Sequence, residues 1–139
     1  MHVLPMPYGK NYKTTLRTNM LDTILPLMLP DYISRAAIQG PYLYYNAGAT
    51  YTLSNGFSYA DRISTGSLIA ICKEWAQTNH YVMLSGTTDL GEYICYYDHI
   101  PSYPRDYFID QYDYTTNTNE LLAVLSACEA IYSHLLDIQ

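Results

Sequence analysis

The stretch Thr50-Tyr51-Thr52-Leu53-Ser54-Asn55-Gly56-Phe57-Ser58-Tyr59-Ala60 is where local chemistry specifies a structure most closely. Asn-Gly between two β-prone runs is the strongest short-range signal for a hairpin. A two-residue Asn55-Gly56 loop would set Ser54 against Phe57 and Leu53 against Ser58, scattering the apolar side chains over both faces. A three-residue loop, Ser54-Asn55-Gly56, with Gly56 in the left-handed region, instead sets Leu53 against Phe57 and Tyr51 against Tyr59. Thr50, Thr52, Ser58 and Ala60 then share the other face. The stretch is expected to be a half-buried hairpin, and it holds no catalytic group.

Upstream, Tyr42-Leu43-Tyr44-Tyr45 is expected to be a strand entering the hairpin through a turn or bulge at Asn46-Ala47-Gly48. Between Asn19 and Gly40, Leu21, Ile24, Leu25 and Met28 recur at helical spacing, interrupted by Pro26. Two short helices are expected there, the second running from about Pro30-Asp31 to a Gly40-Pro41 stop. Residues 1–17 mix prolines, Gly9 and bases without a period, which suits an extended arm or edge strand.

Downstream, Ser64 or Thr65 caps a helix with an inward stripe of Leu68, Ile71, Cys72, Trp75 and Ala76 and with Lys73, Glu74 and Gln77 outward. A second β pair follows, Tyr81–Ser85 and Glu92–Ile100. Residues 101–114 form a loop with a short strand near Tyr107–Ile109. Asn117 with Glu120 resembles a capping box opening the last helix, whose inward face is Leu121, Val124, Leu125, Cys128, Ile131 or Tyr132, and Leu135. At 139 residues the chain suits one domain. The expected class is α+β, an antiparallel sheet of about four or five strands with two longer helices packed on one face.

Only 14% of residues are charged, against roughly 25% in average soluble proteins, while 17 are tyrosine. Tyrosine therefore supplies much of the amphipathic surface. The formal net charge of −6 divides into +2 over residues 1–88 and −8 over 89–139. The acidic half repels phosphate, which argues against nucleic-acid binding through that surface and favours a basic partner. Cys72, Cys95 and Cys128 have no CxxC spacing and lie in apolar segments, so buried reduced thiols are expected. The absence of a leader pattern and of long apolar runs suggests a soluble protein without a membrane partner.

Catalytic and metal patterns are weak. There is no phosphate loop, GxSxG or HExxH. Asp98 and His99 are neighbours on a strand, so their side chains point to opposite faces. His80 and His99 lie on the second β pair and approach each other only if the register allows it. No metal and no cofactor is expected. The stronger candidate is the acidic aromatic segment, in which Tyr97, Asp98, Asp106, Tyr107, Asp110, Tyr112, Asp113 and Tyr114 combine negative charge with large, low-entropy contact area.

Tyr45-Asn46, Gly48, Tyr51-Thr52-Leu53-Ser54-Asn55-Gly56 and Tyr59-Ala60 together resemble the tyrosine-rich signature of ArdB/KlcA-type antirestriction proteins. These are small acidic α+β proteins of plasmids and mobile elements that relieve type I restriction. The signature has a second glycine where this chain has Phe57, and a proline soon after the second strand where it has Asp61. The resemblance implies a protein that acts by binding. The expected function is a non-enzymatic inhibitor of a host defence system, carried by a phage or mobile element. Its partner would be a host protein with a basic or polar surface, met in the host cytoplasm or within a virion. One alternative is a structural subunit of a virion or other assembly, a homo-oligomer with residues 1–17 as a docking arm. Another is a small enzyme using His80 and His99 with Asp98 or Asp106.

Overall fold

Buried strands and the helices laid across them, rather than the hairpin, organise the chain. The computed structural model describes residues 3–4, 20–48, 50–100 and 112–138. In chain order the elements are β1 (Val3–Leu4), α1 (Met20–Met28), β2 (Ala36–Gln39), β3 (Tyr42–Tyr45), β4 (Tyr51–Thr52), β5 (Ser58–Tyr59), β6 (Asp61–Ser64), α2 (Thr65–Thr78), β7 (Tyr81–Thr88), β8 (Tyr93–His99), β9 (Asp113–Asn117) and α3 (Glu120–Asp137). The class is α+β, as expected. The strands are shared among a four-stranded sheet, β1-β7-β8-β9, a three-stranded sheet, β2-β3-β6, and the two-stranded β4-β5 hairpin. All of these pairings are antiparallel except β1 against β7, which is parallel.

The pleat of β7 and β8 sends Tyr81, Met83, Cys95 and Tyr97 to one face, where they join Leu68, Cys72 and Ala76 of α2 and Ile24, Leu25 and Met28 of α1 in a single cluster. Helix α3 supplies Leu121, Val124, Leu125, Cys128 and Ile131 to it, while Tyr132 and Leu135 are only partly buried. Ala123, Ser126 and Ala127 of α3 are buried as well, because α3 touches α1, α2 and strands β7, β8 and β9. Small side chains on its remaining sides admit those neighbours. The Thr115 hydroxyl donates to the Ala123 carbonyl at 2.6 Å, tying β9 to α3. At roughly 2 kcal/mol per fully buried aliphatic side chain, this cluster dominates the stability of the fold.

The hairpin has the register its sequence demands. Tyr51 pairs with Tyr59 and Thr52 with Ser58, the Leu53 amide donates to the Phe57 carbonyl, and the Gly56 amide donates to the Leu53 carbonyl. Gly56 has φ +91°, which the last position of this loop requires. The hairpin is nonetheless peripheral, with Tyr51 57% exposed.

Five expectations are corrected. The loop expected over 101–114 gives way at its end to β9, which pairs with β8 from Asp113 to Asn117. Pro26 lies inside α1 rather than ending it, and, having no N–H, leaves the Asp22 carbonyl without its helical donor. The second expected helix is instead a loop followed by β2, paired along its whole length with β3 from Ala36↔Tyr45 to Gln39↔Tyr42. Gly40-Pro41 is therefore a two-residue hairpin loop, with Gly40 at φ +58°, and not a helix stop. Asp61–Ser64 continues as β6, pairing Tyr44 with Arg62 and Leu43 with Ile63, before Ser64 caps α2 by accepting from the Ser67 amide at 3.1 Å. Asn117 ends β9 opposite Tyr93, and the cap of α3 is Asn119, whose side chain accepts from the Leu122 amide at 3.2 Å. Of the expected arm, Val3–Leu4 form an edge strand. The strand expected near Tyr107–Ile109 lies outside the described residues.

Candidate functional site

The acidic aromatic segment is divided by the pleat of the sheet that carries it. Tyr97 and Asp113 face each other in register on β8 and β9, and Tyr97, 8% exposed, belongs to the helix-facing core. Tyr114 points to the opposite face, where it forms a second buried cluster with Ile94 and Tyr96, and Tyr112 packs against that cluster. The Tyr96 and Tyr114 rings lie 6.0 Å apart, and burial together with Tyr114 pushes the Tyr96 phenol up to about 12. Asp98 and Asp113 are half-buried. After burial, their charges are what raise the pKa of the Tyr81 phenol. Asp106, Tyr107 and Asp110 lie outside the described residues. The described members thus serve two faces of a sheet, with Tyr97 and Tyr114 buried.

Two of the described histidines meet on one ring. His99 packs edge-on against Tyr81 at 5.2 Å and His134 approaches the same ring at 6.4 Å. His80 is exposed, at φ +65° in the turn after α2. Among the described residues no three His, Cys, Asp or Glu side chains are grouped so as to hold a metal ion. Cys72, Cys95 and Cys128 are free and buried. The Cys128 thiol is raised by a hydrogen bond with Cys72 and by burial, and that of Cys95 chiefly by burial.

A different surface brings recognition chemistry together. On β3, Leu43 and Tyr45 join the helix-facing core, while Tyr42 and Tyr44 lie on the other face of the strand, Tyr42 half-buried and Tyr44 buried. From there a continuous row of rings crosses to the hairpin, with Tyr42–Tyr44 at 5.9 Å, Tyr44–Tyr59 at 4.6 Å and Tyr59–Tyr51 at 5.5 Å. Arg62 of β6 lays its guanidinium over the Tyr42 ring at 4.5 Å, and Arg35 lies 5.9 Å from the Phe57 ring centroid. Arg35, Gly48 and Phe57 also line an open cleft of about 380 Å³ at the root of the hairpin. Among the described residues neither arginine is ion-paired, so both forks stay available beside aromatic faces.

Asn46 fixes this surface to the core. Its Oδ1 accepts from the amides of Ile33 at 2.7 Å and Ser34 at 3.2 Å, and its Nδ2 donates to the Asp31 carbonyl at 2.9 Å and to Asp61 Oδ2 at 2.8 Å. One side chain thereby joins the loop after α1, the end of β3 and the start of β6. The Tyr51–Tyr59 pairing is readable from the hairpin alone. The extension through Tyr44 to Arg62 depends on the β3–β6 register, for which four residues with one aliphatic side chain give no local signal.

Family models, curated proteins and solved structures yield no match to this chain. The fold and the surface define an α+β protein that displays a tyrosine row with Arg62 over one end and Arg35 beside the hairpin's Phe57. The resemblance to antirestriction proteins rests on residues 45–60, which form the end of β3 and the hairpin that carry half of that row.

Proposed function

We propose that this chain is a non-enzymatic binding protein whose tyrosine–arginine row occupies a surface of another protein. The observation that carries this reading is the row itself, in which Tyr42, Tyr59 and Tyr51 present ring surface around the buried Tyr44 and Arg62 lies over one end. Tyrosine and arginine are the residues most enriched where interface energy concentrates. Ring faces and an unpaired guanidinium suit a partner presenting carboxylates or backbone carbonyls among apolar groups. In its narrower form, the partner is a component of a host defence system and the chain belongs to a phage or mobile element. The hairpin resemblance supports that form, and the −8 half of the chain offers a second, basic-seeking surface.

Two experiments test the reading at its two levels. In pull-downs from a restricting bacterial host, the wild-type chain is expected to retain a stoichiometric protein, and Tyr51→Ala with Arg62→Ala to lose it while remaining folded. Each truncation should weaken binding by about 2 kcal/mol, mainly through faster dissociation. Undiminished capture by the double variant rejects the row as the site. For the narrower form, expression of the chain should raise the plating efficiency of unmodified phage on that host. The same rings and guanidinium could stack on single-stranded nucleic acid. Tight, steeply salt-dependent binding of a labelled oligonucleotide would move the surface to that class.

A further inference from the structure

Arg35 carries its charge where the fold supplies no counter-charge. The chain holds 13 acids to 7 lysines and arginines, yet among the described residues Arg35 is in no ion pair, and its guanidinium carbon lies 5.9 Å from the centroid of the Phe57 ring. The two acids gathered by the Asn46 network are engaged elsewhere. Asp61 Oδ2 accepts from Asn46 Nδ2 at 2.8 Å and Asp31 accepts from the Tyr45 hydroxyl at 3.2 Å. The backbone of Arg35 is also held in a conformation that favours glycine, with φ +41°, which a side chain adopts at a cost glycine avoids. Its neighbours enforce that conformation. The Ser34 amide donates to Asn46 Oδ1 at 3.2 Å, the Ser34 carbonyl accepts from the Asn46 amide at 2.8 Å, and Ala36 pairs with Tyr45. Strain retained at an exposed arginine that pairs with no acid of its own chain points to a use outside the chain.

The cleft of about 380 Å³ that Arg35 shares with Gly48, Gly56, Phe57 and Ser58 defines that use. Among the described residues no acid lines it. The amides along its wall are already engaged, Gly48 with the Ser58 carbonyl at 3.4 Å, Gly56 with the Leu53 carbonyl at 2.9 Å and Phe57 with Asn55 Oδ1 at 3.0 Å. The Ser58 hydroxyl meets that of Thr52 at 3.0 Å. The guanidinium is therefore the principal donor in the cleft. One planar fork matches the two oxygens of one carboxylate, whereas a phosphate dianion is better served by a cluster of free backbone amides, which this wall lacks. Beside the fork, the half-buried Phe57 ring offers apolar surface to the methylenes that carry the acid.

We propose that the cleft at the root of the hairpin is a carboxylate subsite, in which Arg35 receives an aspartate or glutamate side chain of the protein partner. The inference rests on reading the adjoining tyrosine row as a protein-binding surface, and it adds an acidic residue to what that partner presents.

The cleft can be tested without the partner. In a heteronuclear NMR titration of the whole chain, N-acetyl-glutamate α-amide should shift the Arg35 side-chain N–H and the Phe57 and Ser58 amides, saturating in the millimolar range. Its neutral isostere, N-acetyl-glutamine α-amide, should not. Acetate should act on the same signals more weakly, because it brings no methylenes to the ring; acetate binding as tightly assigns the cleft to free small carboxylates and overturns the side-chain source. Arg35→Gln should weaken the glutamate probe about tenfold or more. Arg35→Gly removes the strain together with the guanidinium, so its melting temperature should hold or rise while the probe no longer binds, a separation that a merely structural arginine would not give. Identical responses to the glutamate and glutamine probes, or probe binding that survives Arg35→Gln, overturn the proposal. In the pull-down, capture that withstands Arg35→Gln but not Tyr51→Ala with Arg62→Ala overturns the subsite and leaves the row standing. A wild type that captures no protein overturns the reading of the row, and with it the partner as source, even where the titration finds the carboxylate.

Discussion

Asn46 is worth more to this fold than its place in a turn suggests. It is 7% exposed with φ +60°, and both ends of its amide are fully used by Ile33, Ser34, Asp31 and Asp61. Asn46→Ala leaves buried amides and a carbonyl without partners, and should cost about 3 kcal/mol in chemical denaturation. Asn46→Asp should cost a similar amount, because it replaces the donor to Asp61 with a second carboxylate. In the sequence this residue is only one of three turn-prone neighbours, since its four partners come from positions that local patterning cannot bring together. Tyr45 gives a pH-dependent readout of the same region. Its hydroxyl donates to Asp31 at 3.2 Å, and burial, then the charges of Asp31 and Asp61, push the phenol up to about 12. A phenol ionises at about 10 in the unfolded chain, so the fold prefers the neutral form. That contribution is complete below pH ~10 and is lost as pH rises through about 12. Denaturant titrations over this window should show stability falling by about 1–2 kcal/mol more in the wild type than in Tyr45→Phe.

At the scale of elements, the helices follow local rules and the strands follow partners. A cap of α2 at Ser64 or Thr65 was legible because a polar oxygen before an apolar stripe has one efficient use, and it is Ser64 that fills the role. Its replacement by alanine should cost about 1 kcal/mol, read as a lowered melting temperature, with Asn119→Ala costing a similar amount at α3. Asn117→Ala should cost less than Asn119→Ala, which distinguishes the cap from the strand end two residues earlier. The strands β2 and β6 were not legible. Ala36-Ala37-Ile38-Gln39 is compatible with a helix, and becomes a strand only through the Gly40-Pro41 loop that lays it on Tyr42–Tyr45. β3, β7 and β8 were legible as strands, but only the hairpin has its register fixed from within, by Asn55-Gly56. Its neighbours do not carry such a signal, so half of the tyrosine row could be read from sequence and the half that includes Arg62 could not.

Across the whole molecule, three cysteines from α2, β8 and α3 meet in the core and are wholly buried. Thiols held protonated and out of reach react only when the structure opens. An aromatic disulfide reagent should therefore modify Cys72, Cys95 and Cys128 together, at the rate of global unfolding, and one thiol reacting at once in native buffer would show that the core opens locally. The apolar runs disclosed these thiols as core, whereas the charge pattern pointed to the acidic segment as a surface and did not disclose that the pleat turns Tyr97 and Tyr114 inward. Sheet order has a further consequence, for the time course of folding. β7, β8, β9 and α3 follow one another in the chain, so their contacts close short loops and need little entropy to be lost before they form. β1 meets Thr87 and Thr88 only after most of the intervening chain has been gathered in. The C-terminal half is therefore the natural nucleus, and the first strand closes the sheet last, so that its loss would hasten unfolding while leaving the refolding rate nearly unchanged.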